Sequence, residues 1–134
     1  MYLLDTMVVS EMRRRDKDSR IGNWLNSVNV EQLFVSSITF GEIAAGMAKP
    51  NLNPVFHTWL GAWLGEMKRL FKERTLDVDT GVAIRWGVLS TSLGRQDMDL
   101  LIAATALEHD LTLVTRNTRH FAPTGVRLLN PYGA

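Results

Sequence analysis

The sequence predicts an α/β domain with a mainly parallel central sheet. Short apolar runs, each too short for an amphipathic helix, alternate with longer segments whose apolar residues recur at helical spacing. That alternation is typical of strands joined by crossover helices. The chain shows no internal repeat, no low-complexity segment and no linker long enough to divide it, so we expect a single domain over residues 1–134.

The first half of the chain predicts two strands and three helices. "YLLD" is a short buried strand, and "TMVVSEMRRR" follows as a helix with Thr6 as its cap. "DKDSRIGNWLNSV" is a second helix, because its apolar residues from 21 to 28 recur at helical spacing. "LFVSSI" is a strand, and "TFGEIAAGMAK" is a helix that stops before Pro50.

The second half continues the alternation after the break at "PNLNP". Apolar spacing predicts a helix over 55–72, and "TLDV" is a short strand. "DTGVAIRWGVLSTSLG" is a helix closed by Gly94, and "DMDLLIAATALEHD" is another. "LTLVT" and "GVRLLN" complete the predicted sheet.

Composition limits the classes of protein. The chain has 134 residues, 46% of them apolar, which is enough for one packed core. Its net charge of +1 means that any contact with nucleic acid must be local. The absence of cysteine excludes disulfides and thiolate metal sites. With no signal peptide and no apolar run near the roughly 20 residues of a membrane span, we expect a cytoplasmic protein without membrane contact.

Acidic and amide residues fall where the predicted strands end. Asp5 follows the first strand, Asn117 follows "LTLVT", and Glu42 lies one turn into the helix after "LFVSS". Asp97 and Asp99 begin the "LLIAATA" helix. Working crevices of open parallel sheets lie at the carboxyl ends of the strands, so these groups are expected to share one edge.

Each of these acids also has a structural interpretation. Asp5 or Asp97 could cap a helix. Asp99 could lie in a first helical turn, where the helix dipole stabilises a carboxylate, and Glu42 could be a solvated helix residue. Gathered carboxylates repel by roughly 4 kcal/mol at about 4 Å and an effective dielectric near 20. A hard cation, Mg²⁺ or Mn²⁺, would relieve this repulsion and suit phosphodiester cleavage by activated water.

Three segments carry a family resemblance that runs almost end to end. "YLLDTMVVSEMRR", "VSSITFGEIAAGM" and "DLLIAATALEHDLTLVTRNTRHFAPTGVRLLNP" resemble the PIN-domain toxins of VapBC toxin–antitoxin modules, including the FitB type. The resemblance implies a PIN-like three-layer α/β/α fold and an endoribonuclease dependent on Mg²⁺ or Mn²⁺, with transfer RNA as a substrate class. It also implies a homodimer inhibited by a VapB-like antitoxin, which would bind operator DNA.

The resemblance also assigns site residues. Asp5, Glu42 and Asp99 correspond to the acidic pocket and the metal ligands, and Asn117 matches a fourth polar position. Thr6 and Thr115 stand beside these acids as supporting hydrogen-bond donors, and Asp97 is a further supporting residue. Arg116 and Arg119, next to Asn117, are candidates for RNA phosphate contacts, as is Arg13 in the "RRR" run at 13–15.

Other conspicuous residues are interpreted as structural. Trp59 and Trp63 are expected in the core or on a dimer surface, and Trp24 and Trp86 at core-like helical positions. The imidazoles of residues 57 and 109 are expected at the surface.

Two positions depart from the family pattern. Met7 stands where relatives commonly have Asn, and His120 stands where many have Asp. His is a poor Mg²⁺ ligand, and the alternative for His120 is a solvated loop residue. These departures favour an alternative function, a catalytically weak toxin that acts by binding its antitoxin in a DNA-bound repressor. An aspartyl phosphatase fits poorly because Met7 occupies its acid/base position, and no Walker motif is present.

Overall fold

Strands and helices alternate along the chain, as the sequence predicts. The computed structural model describes residues 1–14 and 16–133. Within them the strands are β1 (Tyr2–Leu4), β2 (Leu33–Ser36), β3 (Thr75–Leu76), β4 (Thr112–Val114) and β5 (Leu128–Leu129). The helices are α1 (Thr6–Glu11), α2 (Ser19–Ser27), α3 (Ser37–Met47), α4 (Pro54–Leu70), α5 (Thr80–Leu93), α6 (Met98–Glu108) and α7 (Thr118–Phe121). Single 3₁₀ turns lie at Val30–Gln32, Lys72–Arg74 and Ala122–Thr124.

The five strands form one sheet in the order β3-β2-β1-β4-β5, and every pairing is parallel. The predicted parallel sheet is therefore confirmed. β1 is the central strand, because Leu3 pairs with Phe34 of β2 on one side and with Leu113 of β4 on the other. Whatever follows β1 consequently lies at the middle of the carboxyl edge.

Helices cover both faces of the sheet. Successive residues of a strand point to opposite faces. Leu3 packs in a core with Ile102 of α6, whereas Leu4 packs in a second core with Val8 of α1 and Ile21 of α2. The result is the three-layer arrangement that the family resemblance implies.

Several predicted boundaries differ from those observed because side chains cap the helices early. β2 ends at Ser36 rather than residue 38, since the Ser36 hydroxyl accepts from the Ile38 N–H and begins α3. α2 begins at Ser19 rather than residue 16, because Asp18 accepts from the Arg20 N–H. α1 ends at Glu11, and the prediction that it extends to residue 15 reaches a position outside the described residues.

Other element predictions are confirmed or missed for identifiable reasons. Gly94 ends α5 with a φ of +66°, as predicted. The one-turn helix α7 was not predicted because four residues carry no periodic signal. Trp63 is buried and Trp59 is 45% exposed, so the two partners on α4 divide between core and surface. Trp24 and Trp86 are half-buried, and both predicted surface imidazoles are exposed. None of the helices in the described residues is long and apolar enough to cross a membrane.

Candidate functional site

Asp5 stands at the middle of the carboxyl edge, held by three hydrogen bonds. Its N–H continues the β1–β4 ladder by donating to the Val114 carbonyl at 3.0 Å. Its carboxylate accepts from the Thr6 N–H at 2.8 Å and from the Thr115 hydroxyl at 2.8 Å. Asp5 is only 4% exposed and is the N-cap of α1. The prediction that Thr6 caps this helix is therefore wrong, because Asp5 fills that position.

Thr6 instead connects α1 to Glu42. Its hydroxyl donates to Glu42 Oε1 at 2.7 Å and lies 3.0 Å from the Thr39 hydroxyl. Glu42 and Thr39 lie on the same face of α3, three residues apart. The half-buried Glu42 carboxylate is therefore fixed by the residue that follows Asp5 in sequence, close enough for its charge to act on Asp5.

Burial raises the pKa of Asp5 above its ordinary value of 3.8. The negative charges of Asp99 and Glu42 raise that pKa further, against the opposing hydrogen bonds from Thr115 and the Thr6 N–H. Among residues 1–14 and 16–133, no cationic side chain lies within 4.0 Å of the Asp5 or Glu42 carboxylate. The pocket thus concentrates negative charge that the neighbouring protein groups leave unpaired.

The start of α6 carries a second acidic group. Asp97 is the N-cap that the sequence suggests, accepting from the Leu100 N–H at 3.2 Å. Arg95 donates to the same carboxylate from Nε at 2.8 Å and from Nη2 at 3.1 Å, and these hydrogen bonds lower the pKa of Asp97. Asp99, two residues further on, lies 2.9 Å from His120 Nε2.

His120 is exposed, as the alternative interpretation of the sequence expects, but it lies in a short helix rather than a loop. It lies in α7, and its carbonyl accepts from Arg95 Nη1 at 2.9 Å. Its Nε2 lies 2.7 Å from Arg95 Nη2 as well as close to Asp99. The short helix α7 explains the difference, because it turns the residue back towards the start of α6.

These groups could hold a metal ion. Ligand atoms of Asp97, Asp99 and His120 lie within 4.8 Å of one another. Arg95 already occupies both oxygens of Asp97, however, so an ion there would compete with a guanidinium. Asp5, Glu42 and Asp99, the ligands suggested by the resemblance, form no equally tight group in the part of the chain described, but their charges act on one another.

The remaining predicted residues include two that line different cavities. Asn117 donates its backbone N–H to the Thr115 hydroxyl at 3.0 Å, and it lines a cavity with Asp5 and Arg116. Arg119 is exposed on α7. Arg13 lines a different cavity, with Thr6 and Glu42, and its guanidinium is 5.5 Å from the centre of the Phe56 ring.

Sequence reasoning missed two residues of this edge. Arg95 stands two residues before Asp97, a spacing that could have suggested an ion pair. Tyr132 lies under the Arg116 guanidinium, 3.8 Å from its ring centre. No local sequence pattern indicates that contact, because Arg116 and Tyr132 lie in different segments of the chain that only the fold brings together.

Comparisons with known proteins agree with this architecture. The PIN domain model matches residues 2–125. Toxin FitB of Neisseria gonorrhoeae is 32% identical over 140 residues, covering 98% of this chain and 99% of that protein. VapC ribonuclease Y4jK of Sinorhizobium fredii is 27% identical over 139 residues, covering 98% of each. A solved structure of FitAB bound to an IR36 DNA fragment is similar at a TM-score of 0.87 and 33% identity, over 100% of this chain and 97% of that one.

The domain match covers most of the chain, and the similarity to FitB covers nearly all of it. This chain therefore belongs to the PIN domain family, as a VapC/FitB-like toxin of the VapBC toxin–antitoxin type. Relatives in this group are named as ribonucleases, and structural neighbours are toxin–antitoxin complexes, some of them bound to DNA.

Proposed function

We propose that the protein is the toxin of a type II toxin–antitoxin module and a metal-dependent endoribonuclease, acting in the cytoplasm as a single PIN domain over residues 1–134. One observation carries the proposal. Asp5 is buried at the end of the central strand, with Glu42 and Asp99 close enough to raise its pKa and no protein cation paired with it among the described residues. Such a pocket suits a divalent cation.

The donor chemistry fits Mg²⁺ or Mn²⁺. Carboxylate oxygens of Asp5, Glu42 and Asp99 are hard ligands, which both ions prefer. These residues would hold the ion directly or through its waters. When bound, the ion would supply a water for attack on phosphorus and neutralise charge on the scissile phosphate.

The chain's own groups orient the site. Thr115 fixes the Asp5 carboxylate, and Thr6 fixes that of Glu42. Asn117 offers a side-chain amide beside Asp5, able to orient a water or the substrate. Arg116 and Arg119 are exposed cations near this edge, which suits contacts with RNA phosphates, and Arg13 would extend such contacts past the end of α1.

We extend the proposal to partners by analogy with the relatives. A VapB-like antitoxin would inhibit the toxin, and operator DNA would be bound only through that antitoxin. The functional unit would be a homodimer within the hetero-oligomer, and transfer RNA or another structured RNA would be the substrate.

A cleavage assay tests the enzyme. Antitoxin-free protein is incubated with transfer RNA and total RNA in Mg²⁺, in Mn²⁺ or in EDTA, beside Asp5→Asn and Asp99→Asn. Asp110→Asn is the matched control, because Asp110 is an acid distant from the pocket and its φ of +55° suits Asn. Metal-dependent cuts that require Asp5 and Asp99 but not Asp110 support the proposal.

A second candidate function is favoured by the Arg95–His120 contact. Because Arg95 and His120 engage Asp97 and Asp99, the site could be too weakened for turnover. The protein would then act chiefly by binding its antitoxin in a DNA-bound repressor. Folded protein that binds metal but cuts no RNA under any condition would favour this function.

A further inference from the structure

A small cavity opens beside Asp5, and the three residues of the acidic cluster at α6 do not line it. Its volume is about 150 Å³. It is lined by Asp5, Met7, Val8, Glu11, Arg116, Asn117 and Tyr132. The lining therefore combines carboxylates, a guanidinium, an amide and a phenol with two apolar side chains.

The Arg116 guanidinium lies over the Tyr132 ring at one wall of this cavity. Its guanidinium lies 3.8 Å from the centre of the tyrosine ring, within the range of a cation–π contact. The Arg116 side chain is 61% exposed, whereas Tyr132 is 7% exposed. A buried ring thus provides the platform for an accessible cation.

The Tyr132 platform is itself anchored. The Tyr132 carbonyl accepts a hydrogen bond from Arg20. The same guanidinium donates to the Asp18 carboxylate at 2.8 Å and 3.1 Å. Asp18 Oδ2 also lies 3.9 Å from Arg116 Nη2. These contacts tie the last described residues to the start of α2 and limit the directions in which Arg116 can point.

We propose that this cavity is a subsite for the RNA nucleotide next to the scissile phosphodiester, in which Arg116 contacts the RNA and Tyr132 is the positioning residue that holds Arg116. The proposal rests on the proposed function. When the scissile phosphate of an RNA lies at the Asp5 carboxylate, the adjacent phosphate or base of that RNA must lie close by. The cavity adjoins Asp5 and is therefore in the right place to receive it. Arg116 supplies charge for a phosphate, and its flat guanidinium can stack on a base.

Two measurements test the subsite. Arg116→Gln, Tyr132→Leu, Tyr132→Phe and the double variant of Arg116→Gln with Tyr132→Leu are compared in steady-state RNA cleavage. The affinity of each for a fluorescent single-stranded RNA is measured by anisotropy in EDTA. Arg127→Gln is the matched control, because it removes one exposed cation that pairs with Asp110 away from the cavity. Thermal melting checks that each variant is folded.

The expected result is about a tenfold rise in KM for Arg116→Gln with kcat almost unchanged, since a charge-assisted contact made throughout binding is lost. Tyr132→Leu should raise KM about threefold, Tyr132→Phe should match the wild type, and Tyr132→Leu should add nothing in the Arg116→Gln background. RNA affinity in EDTA should fall in the same order. A purely structural role of Tyr132 would give additive losses instead.

Equal effects of Arg116→Gln and Arg127→Gln on KM and on RNA affinity would overturn the proposal, as would additive losses in the double variant. Failure of the proposed function is distinguishable, because the wild type would then cut no RNA. The anisotropy series would still decide whether Arg116 and Tyr132 form an RNA subsite.

Discussion

The hydroxyl of Thr115, at the end of β4, donates a 2.8 Å hydrogen bond to the buried carboxylate of Asp5, at the end of β1. The two residues are 110 positions apart in sequence and meet because β1 and β4 are paired in parallel. Thr115 is wholly buried and also accepts from the Asn117 N–H. This single hydroxyl therefore fixes two polar residues of the site.

Replacing Thr115 with Val should lower both stability and metal affinity. The change keeps the shape but leaves the Asp5 oxygen and the Asn117 N–H without their partner, a loss of about 1–2 kcal/mol in the free energy of unfolding. Denaturant unfolding and Mn²⁺ titration measure the two effects. Thr105→Val is the control, because this buried hydroxyl donates only to the Leu101 carbonyl of its own helix. Equal Mn²⁺ affinity in both variants would contradict the assigned role.

Asp5→Asn should stabilise the metal-free protein at neutral pH. Burial raises the pKa of Asp5 in the folded protein above its value of 3.8 in the unfolded chain. The folded protein therefore has its full stability from this group below pH 3.8 and loses it as the pH rises through the folded-state pKa. Thermal melting in EDTA, from below pH 3.8 up to neutral pH, should show that the melting temperature of Asp5→Asn relative to the wild type increases as the pH rises. A variant less stable than the wild type at every pH would contradict this explanation.

Arg95→Gln should strengthen divalent metal binding several-fold while lowering stability slightly. The substitution removes a positive charge that pairs with Asp97 and contacts His120, so less charge opposes an incoming cation. Calorimetric titration with Mn²⁺ gives the affinity. Arg85→Gln is the control, since it breaks a comparable ion pair with Glu108 elsewhere. Weaker Mn²⁺ binding in Arg95→Gln would show that the guanidinium supports the metal site.

Asp18→Asn should destabilise the protein near neutral pH but not in strong acid. Hydrogen bonds from the Arg20 side chain and N–H lower the pKa of Asp18 to about 2. Its stabilisation is therefore present above the unfolded value of 3.8 and is lost as pH falls through the folded value. Melting temperatures of the two proteins should converge near pH 2. A constant difference down to that pH would contradict the assignment.

The sequence predicts the fold well because the signals are local and repeated. Buried strands, helical periodicity and the stop at Gly94 each depend on neighbouring residues, and the resulting β–α alternation defines a parallel sheet. The observed helix boundaries differ from the predicted ones because Ser36 and Asp18 cap helices at positions where apolar spacing alone gives no boundary.

The site was only partly predictable. Asp5, Glu42 and Asp99 could be placed at one edge from the ends of strands and from the family resemblance. The Arg95–His120 contact and the stacking of Arg116 on Tyr132 depend on how α7 and the last residues fold back. Such tertiary contacts leave no periodic trace in the sequence.

Isotope labelling identifies the nucleophile in RNA cleavage. Wild type and Asp5→Asn cut transfer RNA in ¹⁸O-labelled water with Mg²⁺ or Mn²⁺, and mass spectrometry examines the new phosphate ends. An activated water in the Asp5 pocket predicts a terminal phosphate monoester carrying one ¹⁸O, formed by the wild type and not by Asp5→Asn. A 2′,3′-cyclic phosphate without label, formed equally by both proteins, would contradict attack by a water activated in the Asp5 pocket.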